Sequence, residues 1–323
     1  MKNYKLSVCL PARNEEFLAR TVQDLLEHKS PETEIIIGCD GNWPDPPINN
    51  HPDVKILFYP ESIGQRAMTN QCVKLSRADY ILKLDSHCSV DEGFDVKMIE
   101  AFKKEGDNVV MVPMMKNLHV FDWKCPKCGK RTYQDTGDIC PVDGNKMRKK
   151  IVWQPRAGSS NSAYCFDSEP HFQYFGDLKG KHKESGEDIV ETMSLQGSCF
   201  MASREKYWEL NLCDESFGSW GSQGIEVACK TWLSGGRVLV NRGTWYAHCF
   251  RTKAVFGFPY QLSGRQVQGA KVLAKDLFFK NKWPKAIHPL SWLVEKFWPI
   301  TSGDKVYWTE QDLQNLKDME NLK

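Results

Sequence analysis

The chain has 323 residues, 41% of them hydrophobic and 26% charged, and its 43 basic and 41 acidic side chains give a formal charge of +2. That balance excludes a disordered chain and a molecule drawn to DNA or membrane by its overall charge, so any polyanion contact has to come from a local patch. No apolar run reaches the roughly 18 residues of a membrane span, and Met1 to Lys5 leads into a strand without the regions of a signal peptide. The expectation is a cytoplasmic protein with reduced cysteines, in which Cys9, Cys39, Cys72, Cys199, Cys229 and Cys249 lie in apolar segments and read as core thiols.

Residues 5–10 form an apolar strand, and Phe17, Leu18, Val22, Leu25 and Leu26 give residues 14–28 helical spacing. Residues 34–41 read as a second buried strand ending at Asp40-Gly41, residues 54–59 as a third, residues 64–76 as a helix, and Tyr80 to Leu84 as a fourth strand that delivers Asp85 at its end. Near-continuous apolar strands alternating with helices predict an α/β fold, a mostly parallel central sheet with helices on both faces. Ligands of such sheets bind beyond the carboxyl ends of the strands, where Asp40 and Asp85 both fall. Residues 119–156 interrupt the rhythm with a cysteine- and lysine-rich insertion, and the polar stretch 179–188 reads as a mobile loop. Apolar order returns from Gly197 to Phe250, and an aromatic tail (Phe256, Phe258, Tyr260, Trp283, Trp292, Phe297, Trp298, Trp308) is expected mainly to pack. The organisation is 1–118 and 157–253 as two halves of one domain, 119–156 as an insertion and 254–323 as a C-terminal extension.

Asp85-Ser86-His87 carries two metal-ligand types at alternate positions past a buried strand, so both side chains can converge on one ion. Carboxylate with imidazole suits Mn²⁺ better than a hard all-oxygen Ca²⁺ site. Leu84-Asp85-Ser86-His87-Cys88, with Leu10-Pro11-Ala12-Arg13-Asn14-Glu15-Glu16 and Ile37-Gly38-Cys39-Asp40-Gly41 before it, resembles GT-A family 2 glycosyltransferases. It is similar above all to polypeptide N-acetylgalactosaminyltransferases, in which Asp-x-His replaces the commoner Asp-x-Asp. Trp220-Gly221-Ser222-Gln223-Gly224-Ile225-Glu226 and Ala247-His248-Cys249-Phe250-Arg251 resemble that family's Trp-Gly-Gly-Glu-Asn and Gly-His-Val-Phe-Arg segments. The likeness covers roughly residues 5–100 and 195–251.

The resemblance implies a Rossmann-like GT-A fold, a UDP-sugar donor, and Mn²⁺ or Mg²⁺ held by Asp85, His87 and His248. It implies that Asp40 accepts a hydrogen bond from the nucleobase, that Pro11, Ala12 and Arg13 line base and ribose, and that Glu15, Ser86 and Arg251 belong to the donor side. Arg66, at a helix start, is expected to reach base or phosphate, and Trp220 to sit at the acceptor side. An inverting reaction needs a carboxylate base. Glu226 is the candidate, because Gln223 stands where the relatives carry an acid and cannot act as a base near neutral pH. The alternative is retention by front-face displacement, in which the leaving phosphate takes the proton; the likeness of the metal ligands to a retaining family leans that way.

Cys125-Pro126-Lys127-Cys128-Gly129 is a zinc knuckle, and Cys140-Pro141-Val142-Asp143-Gly144 repeats it with Asp in the fourth place. A structural Zn²⁺ on Cys125, Cys128, Cys140 and Asp143 is expected, with completion by His119 or a metal-free relic as alternatives. Residues 116–156 carry ten Lys or Arg against four Asp, with Trp123, Tyr133 and Trp153 interleaved. Such a patch can meet a polyanion or be a solvated face. The acceptor expected from it is a hydroxymethylated pyrimidine in DNA; a surface polysaccharide, or a non-catalytic sugar-nucleotide or nucleic-acid binding protein, are the alternatives.

Overall fold

A computed structural model describes residues 2–250, 260 and 264–321. Strands β1 (Leu6–Ala12), β2 (Thr33–Asp40), β3 (Val54–Tyr59) and β4 (Tyr80–Leu84) alternate with helices α1 (Leu18–His28) and α2 (Gln65–Leu75). β1 lies parallel between β2 and β4, and β3 continues the parallel run beyond β2. β1 and β2 are buried along their whole length, as strands covered on both faces must be. The first helix begins at Leu18 rather than near residue 14. Asn14 adopts a left-handed conformation with φ of 45°, and the resulting turn keeps Glu15 beside the ends of β1 and β4.

β5 (Cys88–Val90), α3 (Phe94–Glu105), β6 (Val109–Lys124), β7 (Arg131–Tyr133), β8 (Arg148–Pro155), β9 (Tyr164–Phe166), β10 (Phe172–Tyr174), α4 (Gly176–Ser185), β11 (Ile189–Glu191), β12 (Cys199–Ser203), α5 (Arg204–Glu209), α6 (Gln223–Leu233) and β13 (Arg237–His248) follow. The sheet runs β11-β13-β6-β12-β4-β1-β2-β3. β12 is antiparallel to both β4 and β6, so the sheet is parallel on the β1–β4 side and mixed on the other. β6 is the strand that leaves the body: its first half pairs with β13 and its second half with β7 and β8 of the insertion.

Residues 179–188, expected as a mobile loop, mostly belong to α4. His182 on that helix is buried, its ring nitrogens within hydrogen-bonding distance of Ser162 Oγ and Glu191 O, and Gly186 ends the helix in a left-handed conformation. The polar composition reflects a helix that buries mainly one side chain.

The tail adds α7 (Gly264–Ala274), α8 (Leu290–Lys296) and α9 (Glu310–Asn321). It packs onto the body, as its aromatic content suggests. Trp308 is buried and donates from Nε1 to Phe166 O at 2.7 Å, and the rings of Trp292 and Phe297 lie 6.3 and 5.6 Å from that of Trp232. Phe256 and Phe258 lie outside the described residues. The six cysteines expected in the core are buried free thiols. Among the described residues no helix is long and apolar enough to cross a membrane.

Candidate metal centre and its cleft

Asp85 leaves the end of β4 with its N–H bonded to Ser198 O at 2.8 Å, and His87 precedes β5. β5 pairs antiparallel with β13 so that Cys88 stands opposite His248, and Cys249 N donates to His87 O at 3.1 Å. This register brings the two imidazoles together, their planes tilted by 46°, Nε2 to Nε2 at 3.1 Å, with His248 Nε2 at 3.3 Å from Asp85 Oδ2. One ligand atom from each of Asp85, His87 and His248 lies within 4.8 Å of the others.

The surroundings orient these atoms. Glu15 Oε2 lies 2.9 Å from His87 Nδ1, which places the proton on Nδ1 and the lone pair on Nε2, towards His248. Asp85 Oδ1 accepts from Lys83 Nζ at 2.5 Å and from Gln65 Nε2 at 3.1 Å, leaving Oδ2 to face the histidines. Lys83 is itself fully buried and also donates to Gly197 O. Burial alone would raise the Asp85 carboxyl, but Lys83, with the two histidines, more than offsets it and holds the group well below the usual carboxylate range. Burial, aided by His87, pushes His248 down to about 4 against the pull of Asp85, so its ring is neutral at neutral pH. Two ring Nε2 atoms directed at each other beside a carboxylate oxygen fit a divalent cation taken up by all three side chains.

The centre lies in a cleft of about 540 Å³. Pro11, Arg13, Glu15, Ser86 and Gln65 line it on the β1–β4 side, and Trp220, Gln223 and Phe250 on the other. Ser86 Oγ donates to Pro11 O at 2.8 Å and so ties the ends of β4 and β1 together. Gly224 allows the 220–224 segment to approach closely, since a Cβ there would stand 1.8 Å from Leu195 O.

Residues 7–144 match the family described as Glycosyl transferase family 2. This part of the chain is similar to glycosyl transferase family 2. A Drosophila melanogaster protein named as polypeptide N-acetylgalactosaminyltransferase 13 is 27% identical over 289 residues, covering 82% of this chain and 45% of that protein. Human polypeptide N-acetylgalactosaminyltransferase 10 is 22% identical, covering 80% of this chain and 40% of its own length. GalNAc-T7, in a crystal structure with UDP, GalNAc and Mn²⁺, shares the fold at a TM-score of 0.62 and 16% identity, covering 99% of this chain and 55% of that one. The chain thus has the GT-A fold expected and resembles polypeptide GalNAc-transferases, while spanning about half or less of their length.

Four expected site residues stand elsewhere than the sequence reading put them. Glu226, the candidate base, is fully buried outside the cleft lining. Its Oε2 accepts from Arg66 Nε at 2.9 Å, and its Oε1 from Lys230 Nζ and Asp214 N, each at 2.9 Å. With both oxygens committed to interior partners it is a structural hub, because a base needs a lone pair within reach of the acceptor hydroxyl. Arg66, expected at base or phosphate, is the other half of that hub and also donates to Gly218 O and Gly221 O. The pair pins the loop that carries Trp220 and Gln223. Asp40 is fully buried and accepts from Ser62 Oγ, Ile63 N and Gly64 N, shaping the turn into α2 rather than lining the cleft. Ala12 is also buried behind the lining. Arg251 lies outside the described residues.

The sequence reading missed Gln65, Gln196, His171, Tyr260 and Lys271, all in the lining, because polar residues of loops and exposed helix faces carry no signal of what they face. Lys83 had one: a charge between Leu82 and Leu84 in a buried strand, two positions before Asp85 and so on its face. Glu226→Ala should cost about 3–5 kcal/mol in urea unfolding, since it strands Arg66 and Lys230 without their buried partner. A catalytic base at this position predicts instead unchanged stability with lost turnover.

Proposed function

We propose that this chain is a metal-dependent glycosyltransferase that moves a sugar from a UDP-sugar to a hydroxyl acceptor. The observation that carries this reading is the Asp85–His87–His248 set at the floor of a cleft, in a family 2 fold, with Glu15 fixing the His87 tautomer. Mn²⁺ or Mg²⁺ bound there supplies Lewis-acid stabilisation of the departing diphosphate, which needs no protein proton donor. Asp85 Oδ2 and the two Nε2 atoms would hold it, while Lys83 and Gln65 keep Asp85 Oδ1 occupied. Pro11 and Arg13 would receive the nucleoside. Trp220, 38% exposed, and Gln223 would face the acceptor.

The proton of the acceptor hydroxyl has to go somewhere. Among the described lining residues the carboxylates are Glu15 and Asp85, both committed to the metal set. This supports front-face displacement with retention, the leaving phosphate taking the proton. His171, whose Nδ1 lies 3.1 Å from Asp167 Oδ1, also lines the cleft and is the imidazole to which an inverted product would point.

In the insertion, Cys125, Cys128, Cys140 and Asp143 bring one ligand atom each within 4.8 Å of the others, as a structural Zn²⁺ requires. The two knuckles share one backbone pattern. Cys125 N bonds Lys130 O and Gly129 N bonds Cys125 O, and Cys140 N with Asn145 O and Gly144 N with Cys140 O repeat it. Asp143, held well below the usual carboxylate range by the Asn145 N–H and the neighbouring thiols, completes the set. His119 is instead engaged with Asp122. The basic surface around these knuckles suits a polyanionic acceptor, and DNA carrying hydroxymethylated pyrimidine is the one we propose.

With a UDP-sugar panel, UDP release should require Mn²⁺ and fall at least about 100-fold in His248→Ala. Equal release without metal, or in the variant, overturns the metal-dependent reading, and no release from any donor overturns the transferase reading and favours a binding protein. A mass-spectrometric donor-by-acceptor screen should show a sugar-sized increase on hydroxymethylated DNA, with the anomeric configuration of the donor retained by proton NMR. Transfer to a polysaccharide alone replaces the acceptor, and an inverted linkage replaces the mechanism. Elemental analysis by ICP-MS should find one zinc per chain in the wild type and none in Cys125→Ser; equal zinc in both removes the knuckle site.

A further inference from the structure

β7, β6 and β8 form a three-stranded antiparallel sheet whose two faces differ in kind. Directly opposed residues in such a sheet present their side chains on one face, and successive residues alternate between faces. Trp123 stands opposite Thr132 and Lys149. This is the inner face: the Phe121 and Trp123 rings meet at 5.0 Å, and Lys149 lies over Phe17 and Phe121 and pairs with Glu16.

The outer face carries the other two rungs. Lys124 stands between Arg131 and Arg148, and Asp122 between Tyr133 and Lys150. Lys124, Arg131, Arg148 and Lys150 are exposed. Asp122 is the one carboxylate of the two rungs, and its oxygens are taken by Arg131 and by His119. Lys124, Arg148 and Lys150 have no carboxylate partner among the described residues. Arg156 lies over the Tyr133 ring at 5.2 Å and His119 packs on it at 4.8 Å, extending the face with stacked π surface.

Three cations abreast on one rung are unfavourable for the sheet by itself, because like charges directly opposite repel. A chain of phosphates laid across the rung reverses the sign of that interaction.

We infer that this outer face is a docking surface for nucleic acid, with Arg131, Lys124 and Arg148 as phosphate contacts and Tyr133, His119 and Arg156 as the adjoining stacking surface. A repeating phosphodiester suits the rung better than an isolated anion. The rung's three strands place their cations about 4.5–5.5 Å apart at Cβ, a spacing that long side chains adapt to backbone phosphates.

The surface is also placed to serve the cleft. Asn117 on β6 pairs with His248, and Lys124 lies seven residues further along the same strand, 124 minus 117. At about 3.3 Å per residue the rung stands roughly 23 Å from the metal centre, about seven base-pair steps of duplex. The inference deepens the DNA-acceptor reading in that respect, yet docking itself needs neither donor nor active-site metal.

The test is fluorescence anisotropy of the full chain, zinc retained, with a labelled 24-mer DNA duplex and no UDP-sugar or Mn²⁺. The wild type should bind with a log K against log salt slope showing several phosphate contacts. Lys124→Glu/Arg148→Glu should weaken binding at least about tenfold at 100 mM salt and reduce the slope by about 1.8. Lys104→Glu on α3 should change neither. The double variant should keep the zinc content, melting temperature and Mn²⁺-dependent UDP release of the wild type. Equal DNA affinity in wild type and double variant, or no wild-type binding at 50 mM salt, overturns the inference. So does loss of binding in the double variant to anionic phosphatidylglycerol vesicles with duplex binding unchanged, which makes the face a membrane contact. If the variant loses duplex binding while hydroxymethylated DNA is never glycosylated, docking stands and the acceptor reading falls.

Discussion

The centre depends on the antiparallel pairing of β5 with β13. Three residues of β5 are enough, because Cys88 opposite His248 fixes where the second imidazole arrives relative to the first. A shift of one residue would turn His248 to the opposite face of its strand and leave Asp85 and His87 as a two-ligand turn. The same strand is held on its other side by β6, with His248 opposite Asn117, so the ligand comes from a strand clamped on both edges rather than from a loop. Ligands mounted this way lose little freedom when a cation is taken up.

Around that pairing the interior spends charge on position. Lys83 is buried against Asp85 and Gly197, and Arg66 and Lys230 are buried against Glu226. Buried ions are costly unless well paired, and these are paired in geometries that tie separate segments together: β4 to the 196–198 loop, and α2 to α6 and the Trp220 loop. Ser222 adds a left-handed residue with φ of 51° just before α6. The loop is thus shaped by backbone as well as by the buried pair.

The insertion and the tail extend the domain in different ways. The tail closes over the body through buried aromatics such as Trp308, whereas the insertion continues β6 and packs one face of its sheet on Phe17 and Glu16. Because one strand serves both the candidate metal centre and the basic sheet, the two are joined by regular structure rather than by a linker.

The sequence by itself determined the strand-helix alternation, the end of β4 as the site of Asp85, and the two matching cysteine turns of the insertion, because period, buried runs and short spacings are local properties of the chain. The family motifs added His248, which no local pattern could have joined to residue 87. Only the tertiary structure decided what faces what. Glu226, Arg66 and Asp40 carry functional side chains at positions the motifs make plausible, yet their partners come from segments far off in the chain and turn all three inward. Lys83 and Glu15 became orienting groups for the same reason: a side chain's hydrogen-bond partners are set by packing, and packing between distant segments has no period to read.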